Sequence, residues 1–334
     1  MCTAAGIIGT GAYLPEGVLT NEELSRRLAV TPEWIFQQTG IAVRRIAPAG
    51  LLSSGMAVEA GRQALEQAGT APEEIGLIIM ASSTPDAGGP ATAALIQQAL
   101  HIPQAMCFDL SAGCSGFVYA LATACHLVSS GFCAKALVIG ADKFSRVVDP
   151  DDTATAILFG DGAGAVVVGQ VPDGCGLLAS DMGCDGSRFE AVWLPGPEGS
   201  RPVPAGSTVK PGPFVHMDGY QVFRFSMRVI GESVGRVLDR TGLTMADVDL
   251  LIPHQANRRI VEAAARRLNL PMEKVILDME DCGNTSAASI PIALHHAVER
   301  GRIPPGSLFL LAGFGAGLSW GSCLLRWYDP ATSC

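Results

Sequence analysis

The 334-residue sequence predicts a layered α/β protein assembled from two related halves, and three observations lead there. Short apolar runs alternate with amphipathic stretches along the whole chain, the pattern of sheets covered by helices. The composition is 48% hydrophobic and only 16% charged, with a mean hydropathy of +0.31, which suits elements buried on both faces. An apolar run, a Phe-Gly-x-Gly turn and a second apolar run also occur twice, at Ala136–Gly140 with Phe159-Gly-Asp-Gly and at Leu308–Leu311 with Phe314-Gly-Ala-Gly. That echo divides the chain into an N-terminal half, residues 1–170, and a C-terminal half, residues 171–334.

In chain order, Leu77–Ala81, Ala105–Leu110, Ala136–Gly140, Leu250–Pro253 and Leu308–Leu311 read as buried strands. Ser53–Ala68, Ala91–Leu100, Gly116–Val128 and Asn257–Leu268 read as helices. In the last of these, Ile260, Val261, Ala264 and Leu268 make an apolar stripe, while Arg259, Arg266 and Arg267 fall on a different, solvent-side face. Pro195–Pro213, rich in Pro, Gly and Ser, reads as an irregular excursion over the surface.

The net charge of −9 and a pI near 5.1 argue against nucleic acid or an anionic membrane as the general partner. The first residues lack the basic region of a targeting signal, and no stretch of about twenty residues is apolar enough to span a bilayer, so a soluble cytoplasmic protein is expected. The ten cysteines include no CxxC pair and no Cys/His grouping at zinc spacing, so no metal is expected. Cys107, Cys125 and Cys323 sit among apolar neighbours and read as small buried hydrophobes.

Four segments carry chemistry. In Phe108-Asp-Leu-Ser-Ala-Gly-Cys-Ser-Gly-Phe, a strand ends, a turn of small residues follows, and a helix begins just after Cys114. That is the layout of a nucleophile elbow with sulfur as the nucleophile, placed where a helix N-terminus favours the thiolate. A buried cysteine in a glycine-rich turn fits the segment equally well. In Leu251-Ile-Pro-His-Gln-Ala-Asn, a strand delivers His254 to its end, where α/β proteins place reactive side chains. Gly283-Asn-Thr-Ser-Ala-Ala-Ser puts Asn284 in a turn before an apolar helix, a position also natural for a simple cap. Phe314-Gly-Ala-Gly is a glycine-dense turn able to aim backbone N–H groups inward, or merely to turn the chain.

Cys114, His254 and Asn284, in this order and spacing, resemble the catalytic set of β-ketoacyl-ACP synthase III in the thiolase superfamily. The resembling stretches also include Ile7–Pro15, Trp34–Ile41, Phe159–Ala165, Pro253–Asn257, Gly283–Ser289 and Phe314–Gly321, and so cover nearly the whole chain. The resemblance implies the thiolase fold, five layers α-β-α-β-α with two pseudo-repeated halves. It implies an acyltransferase that loads an acyl group onto Cys114 and condenses it with malonyl-ACP, with His254 and Asn284 as hydrogen-bond donors. The backbone N–H groups of Cys114 and Ala316 would form the oxyanion hole. Trp34, Phe159, Gly219, Asn257, Phe314 and Gly315 match binding positions. Arg259, Arg266 and Arg267 would dock the acidic acyl carrier protein. No cofactor beyond acyl thioesters is implied, and a homodimer is expected.

The chain also departs from typical members. Gln38 and Thr153 stand where arginines grip the CoA nucleotide, Gly89 where a bulky residue limits acyl length, and Ala316 where the turn has a glycine. Fewer cationic contacts imply weaker nucleotide binding and poor turnover of acetyl-CoA, in favour of other CoA esters, a carrier-bound donor or a longer chain. The alternatives are a specialised member that joins acyl chains, makes acetoacetyl-CoA or transfers to a non-malonyl acceptor, and a non-catalytic subunit of a heteromeric synthase.

Overall fold

Two sheets are built on one plan. In the first, β1 (Ala5–Tyr13), β2 (Ile75–Ala81), β3 (Met106–Leu110), β4 (Lys135–Lys143) and β5 (Asp161–Gln170) lie in the order β1-β5-β4-β2-β3. In the second, β6 (Gly176–Cys184), β7 (Leu250–Pro253), β8 (Leu308–Gly315) and β9 (Ser319–Arg326) lie in the order β7-β8-β9-β6. Antiparallel β1–β5, antiparallel β5–β4 and parallel β4–β2 are matched by antiparallel β6–β9, antiparallel β9–β8 and parallel β8–β7. The computed structural model describes residues 4–194 and 213–329, so the stretch Pro195–Pro213 lies, except for Pro213, outside the described residues.

The helices α1 (Pro32–Thr39), α2 (Ser53–Gln67), α3 (Thr92–Ala99), α4 (Gly116–Ser129), α5 (Gly219–Thr241), α6 (Arg258–Arg267) and α7 (Ser289–Glu299) complete the layers. α2 and α3 cover the outer face of the first sheet, α4 and α7 pack between the sheets, and α5 covers the second sheet with α6 against it. This is the five-layer α-β-α-β-α thiolase arrangement. Its physical cause is readable in the helices. α4 is apolar round most of its circumference, with Phe117, Val118, Leu121, Ala124, Cys125 and Val128 buried, because it touches a sheet on each side, and Tyr119, Thr123 and His126 make a narrow polar stripe. α5 buries one stripe, Phe225, Val229, Ile230, Val234, Val237 and Leu238, and shows its other face to solvent.

Several elements run differently from their sequence boundaries. Asn257 is not in α6 but caps it, its side chain accepting from the Arg259 N–H at 2.8 Å. β8 continues to Gly315, so Phe314 and Gly315 are strand residues and the turn is 316–318. The corresponding connection in the first half, between β4 and β5, spans 144–160 and is folded into a wall of the cavity described below.

Glycines set how closely α7 and the turn before it approach the first sheet. A Cβ on Gly140 would stand 2.3 Å from the Ala287 carbonyl oxygen, and one on Gly164 would stand 2.7 Å from the Ile292 nitrogen. Both contacts are with backbone, which cannot swing aside as a side chain can. We therefore expect Gly140→Ala to cost at least about 2 kcal/mol, seen as a fall of several degrees in the thermal unfolding midpoint.

Candidate active site

β3 ends at Leu110 and the chain turns through Gly113–Ser115, a single 3-10 turn, into α4. Gly113 has φ +55°, and a Cβ there would lie 2.5 Å from the Ala316 nitrogen. A Cβ on Gly315 would lie 2.4 Å from the Cys114 nitrogen. The elbow of the first half and the end of β8 in the second are thus in backbone contact, with the Cys114 and Ala316 nitrogens side by side. Ser115 Oγ and Ser319 Oγ, 2.8 Å apart, stitch this junction: Ser115 donates to the Ala112 oxygen at 2.8 Å, and Ser319 has the Ala112 and Ala316 oxygens within 2.9 Å.

His254 follows β7, with its own N–H held by the Ala312 oxygen at 2.8 Å and its ring edge-on to Phe314. Its Nδ1 lies 2.6 Å from Ser289 Oγ. Asn284 is held by its backbone, which exchanges bonds with Leu158 and Gly160 at 2.9 and 3.0 Å. The Asn284 Oδ1 accepts from the Ser286 N–H at 2.9 Å, which leaves its Nδ2 hydrogens to point elsewhere. Ser286 has φ +54°, unusual for a residue with a Cβ, and its Oγ lies 3.3 Å from Cys114 Sγ. The single segment 284–289 therefore supplies Asn284, touches the cysteine and touches the histidine.

Cys114, His254 and Asn284 line one cavity of about 620 Å³. Phe314, Gly315 and Ala316 line its floor beside Cys114. Trp34, Phe159, Gly219 and Asn257 also line it, as do Gln38, Arg259 and Arg266. Arg267 is not among its lining residues; it lies against α5 at Gly231. The Asn257 Nδ2 donates to the Gln38 carbonyl at 2.9 Å, and Arg259 Nη1 donates to Gln38 Oε1. On the inner wall, Phe159 stacks on Phe144 at 4.3 Å. The fully buried Arg44 clamps that wall by donating to the Ile157 oxygen at 2.6 and 3.1 Å, and burial draws its guanidinium down to about 10.

Sequence reasoning missed Ser286, Ser289 and Asp142. Asp142 is fully buried behind the turn. One of its oxygens accepts from Ser82, the Ser83 N–H and both the N–H and hydroxyl of Thr84, the other from the Ala287 N–H at 3.1 Å. The Ser286 hydroxyl bonds the same carboxyl group. The only signal in the sequence is the run of small polar residues after Asn284, which reads as close packing.

The electrostatics correct one expectation. The sulfur of Cys114 is part-exposed toward the cavity but lies deep within the molecule. Burial pushes its thiol up to about 12, with the Ser286 hydroxyl opposing and the Asp142 charge adding to the rise. The helix N-terminus expected to favour a resting thiolate is outweighed. Burial likewise draws His254 down to about 3, so its imidazole is neutral at physiological pH. Burial raises Asp142 also, against the hydrogen bonds that lower it.

Comparison with known proteins gives a consistent result. A family described as 3-oxoacyl-[acyl-carrier-protein (ACP)] synthase III matches residues 108–186, and its C-terminal counterpart matches residues 238–327. The chain is similar to β-ketoacyl-[acyl-carrier-protein] synthase III 1 of Bacillus cereus, 48% identical over 322 residues covering 96% of this chain and 98% of that one. The solved β-ketoacyl-[acyl carrier protein] synthase III of Thermus thermophilus superposes with a TM-score of 0.92 at 42% identity, covering 97% of this chain and 99% of that one. The priming β-ketosynthase of the R1128 polyketide biosynthetic pathway superposes at 0.90 with 36% identity, covering 98% of each.

The depressed His254 value predicts acid sensitivity. Between pH 6.5 and about 3 the unfolded chain binds a proton here that the folded chain does not, so stability is full above 6.5 and falls as pH drops through this window. We expect His254→Gln to remove a loss on the order of a few kcal/mol, measured as the difference between the two proteins' denaturant-unfolding free energies at pH 7 and pH 4.

Proposed function

The chain belongs to the β-ketoacyl-[acyl-carrier-protein] synthase III family of acyltransferases, and from that premise we propose that Cys114, His254 and Asn284 carry two half-reactions in one cavity. The observation that carries this assignment is their convergence: a thiol, an imidazole and a carboxamide with its oxygen already bonded, beside two adjacent backbone nitrogens.

In the first half-reaction the Cys114 sulfur attacks the carbonyl of an acyl thioester. A carbon–sulfur bond forms, the bond to the donor's sulfur breaks, and the cysteine proton leaves with the released thiol. The Cys114 and Ala316 N–H groups receive the oxygen as it gains charge. In the second, malonyl-ACP loses carbon dioxide, and the electron pair released forms an enolate whose oxygen needs donors. His254 Nε2 and Asn284 Nδ2 supply them. The enolate carbon attacks the acyl-cysteine, the Cys114 thiolate leaves and takes a proton, and β-ketoacyl-ACP remains. Loss of carbon dioxide drives the carbon–carbon bond, so neither step calls for a metal or a redox cofactor.

Arg259 and Arg266 stand at the cavity beside Trp34 and Phe223, which are both 39% exposed. A mixed basic and aromatic rim suits an acidic carrier and its pantetheine arm, with Arg267 extending the basic face along α6. The homodimer expected of the family has a candidate seam in β3, an edge strand whose Met106 is exposed. The proposed setting is cytoplasmic; no described helix is long and apolar enough to cross a membrane. A second reading, a priming role in a specialised pathway, draws on Gln38 at the cavity and on the likeness to the R1128 priming synthase.

Two measurements test these roles. Intact-protein mass spectrometry with a panel of acyl-CoAs and acyl-ACPs should show one acyl adduct, absent in Cys114→Ala, with acetyl-CoA a poor donor. His254→Ala and Asn284→Ala should still load yet lose condensation with malonyl-ACP by roughly 100-fold. Reversal of charge in Arg259→Glu with Arg266→Glu should raise KM for malonyl-ACP about tenfold and leave acyl loading from a CoA ester nearly unchanged.

A further inference from the structure

His254 is neutral in this site, so its function depends on which ring nitrogen holds the one proton. A donor role at the cavity requires that proton on Nε2. The hydrogen bonds around Nδ1 decide the matter. Ser289 Oγ lies 2.6 Å from Nδ1, and the same oxygen receives the backbone N–H of Gln255 at 3.3 Å. Ser289 is 2% exposed and Gln255 1%, so water does not compete for either bond.

The direction of the Gln255 N–H is fixed. Its side chain donates to the Pro253 oxygen at 2.7 Å and the Ile276 oxygen at 3.2 Å, and accepts from the Asp278 N–H at 2.8 Å. A hydroxyl has one proton and can accept two hydrogen bonds. If Nδ1 held the imidazole proton, Ser289 Oγ would receive it together with the Gln255 N–H, and the hydroxyl proton would be buried without an acceptor. If the hydroxyl donates to Nδ1 instead, every group in the set is paired. Ser289 is the first residue of α7, so its backbone position is set by the helix that packs between the two sheets.

We infer that Ser289 is a positioning residue: its hydroxyl, with its acceptor side held by the Gln255 N–H, donates to His254 Nδ1 and locks the imidazole as the Nε2–H donor that faces the malonyl thioester. This rests on the donor role assigned to His254 above. Asn284 is fixed by the same logic, its oxygen held by the Ser286 N–H so that its amide donates. Both donors are therefore set by the segment 284–289.

The test is nitrogen NMR of ¹⁵N-histidine-labelled full-length protein, with His254 assigned by loss of its signals in His254→Gln. The expected result is a pyridine-type Nδ1 and a pyrrole-type Nε2 at neutral pH in the wild type. In Ser289→Ala the Nδ1 signal should shift, and condensation kcat should fall at least about tenfold with acyl loading of Cys114 unchanged; Ser289→Thr, which keeps the hydroxyl, should restore both. A pyrrole-type Nδ1 in the wild type overturns the inference. So does a folded Ser289→Ala enzyme with unchanged signals and kcat. If His254→Ala retains full condensation, the donor role itself fails, whatever tautomer the spectrum shows.

Discussion

No side chain separates the two backbones where the Gly113–Cys114 turn meets the Gly315–Ala316 end of β8. Each glycine stands where a Cβ would strike a nitrogen of the opposite strand, and the two nitrogens struck are the two proposed oxyanion donors. The contact joins the halves of the molecule where the two proposed donors lie close enough to serve one oxygen. Ser115 and Ser319 hold it shut from behind through hydroxyl bonds to Ala112 and Ala316. The cavity, the elbow and the seat of His254 follow from it, because β8 also fixes the His254 N–H through Ala312.

The same closeness sets the nucleophile deep within the molecule, and the cost falls on its ionisation. A thiol pushed up to about 12 and an imidazole drawn down to about 3 leave the resting site without a charge on either group. A neutral imidazole with its proton on Nε2 is no base toward Cys114. On the proposed mechanism the thiol proton would be lost as the thioester is attacked, with the charge passing from sulfur to the carbonyl oxygen between the Cys114 and Ala316 N–H groups. For the proposed second half-reaction burial is an advantage, since donors aimed at an enolate oxygen are worth more in surroundings of low dielectric. A resting thiolate would help the first step only. The proposed donors instead answer the charge that would develop on oxygen in both.

Cys114, His254 and Asn284 could be found in the sequence because each stands where a strand or turn hands over to a helix, among residues too small or too polar for ordinary core. The repeat could be found as well, although what recurs in space is the order β1-β5-β4-β2 against β6-β9-β8-β7, and the Phe-Gly echo is only its trace. Ser286 and Ser289 could not be distinguished from packing serines, because their partners lie 172 and 35 positions away. Asp142 sits near the end of apolar β4 and gives no sign of the six donors gathered on it from two other segments. The thiolate expected for Cys114 failed for a related reason: a helix terminus is a local feature, whereas burial is set by the whole fold.

The halves differ in the connection that lines the cavity. In the second half β8 and β9 are joined by the short turn 316–318, which carries the proposed oxyanion donor Ala316. In the first half the equivalent connection, 144–160, is long enough to fold back as a wall. It brings Phe144 and Phe159 into a stack, places Ile157 and Leu158 on the cavity, and bonds to Asn284 through Leu158 and Gly160. Arg44 fixes it at Ile157 and also donates to Asn21 Oδ1, with no carboxylate partner among the described residues, so the clamp depends on carbonyl geometry and not on an ion pair. The surface that an acyl chain would meet is thus tied by backbone bonds to the residue that would stabilise the enolate. A change of shape at Phe159 or Ile157 would act on a segment bonded directly to Asn284. On the proposed roles, the hydrogen bonds between 158–160 and 284 are the physical link by which acyl selectivity and condensation rate would be connected.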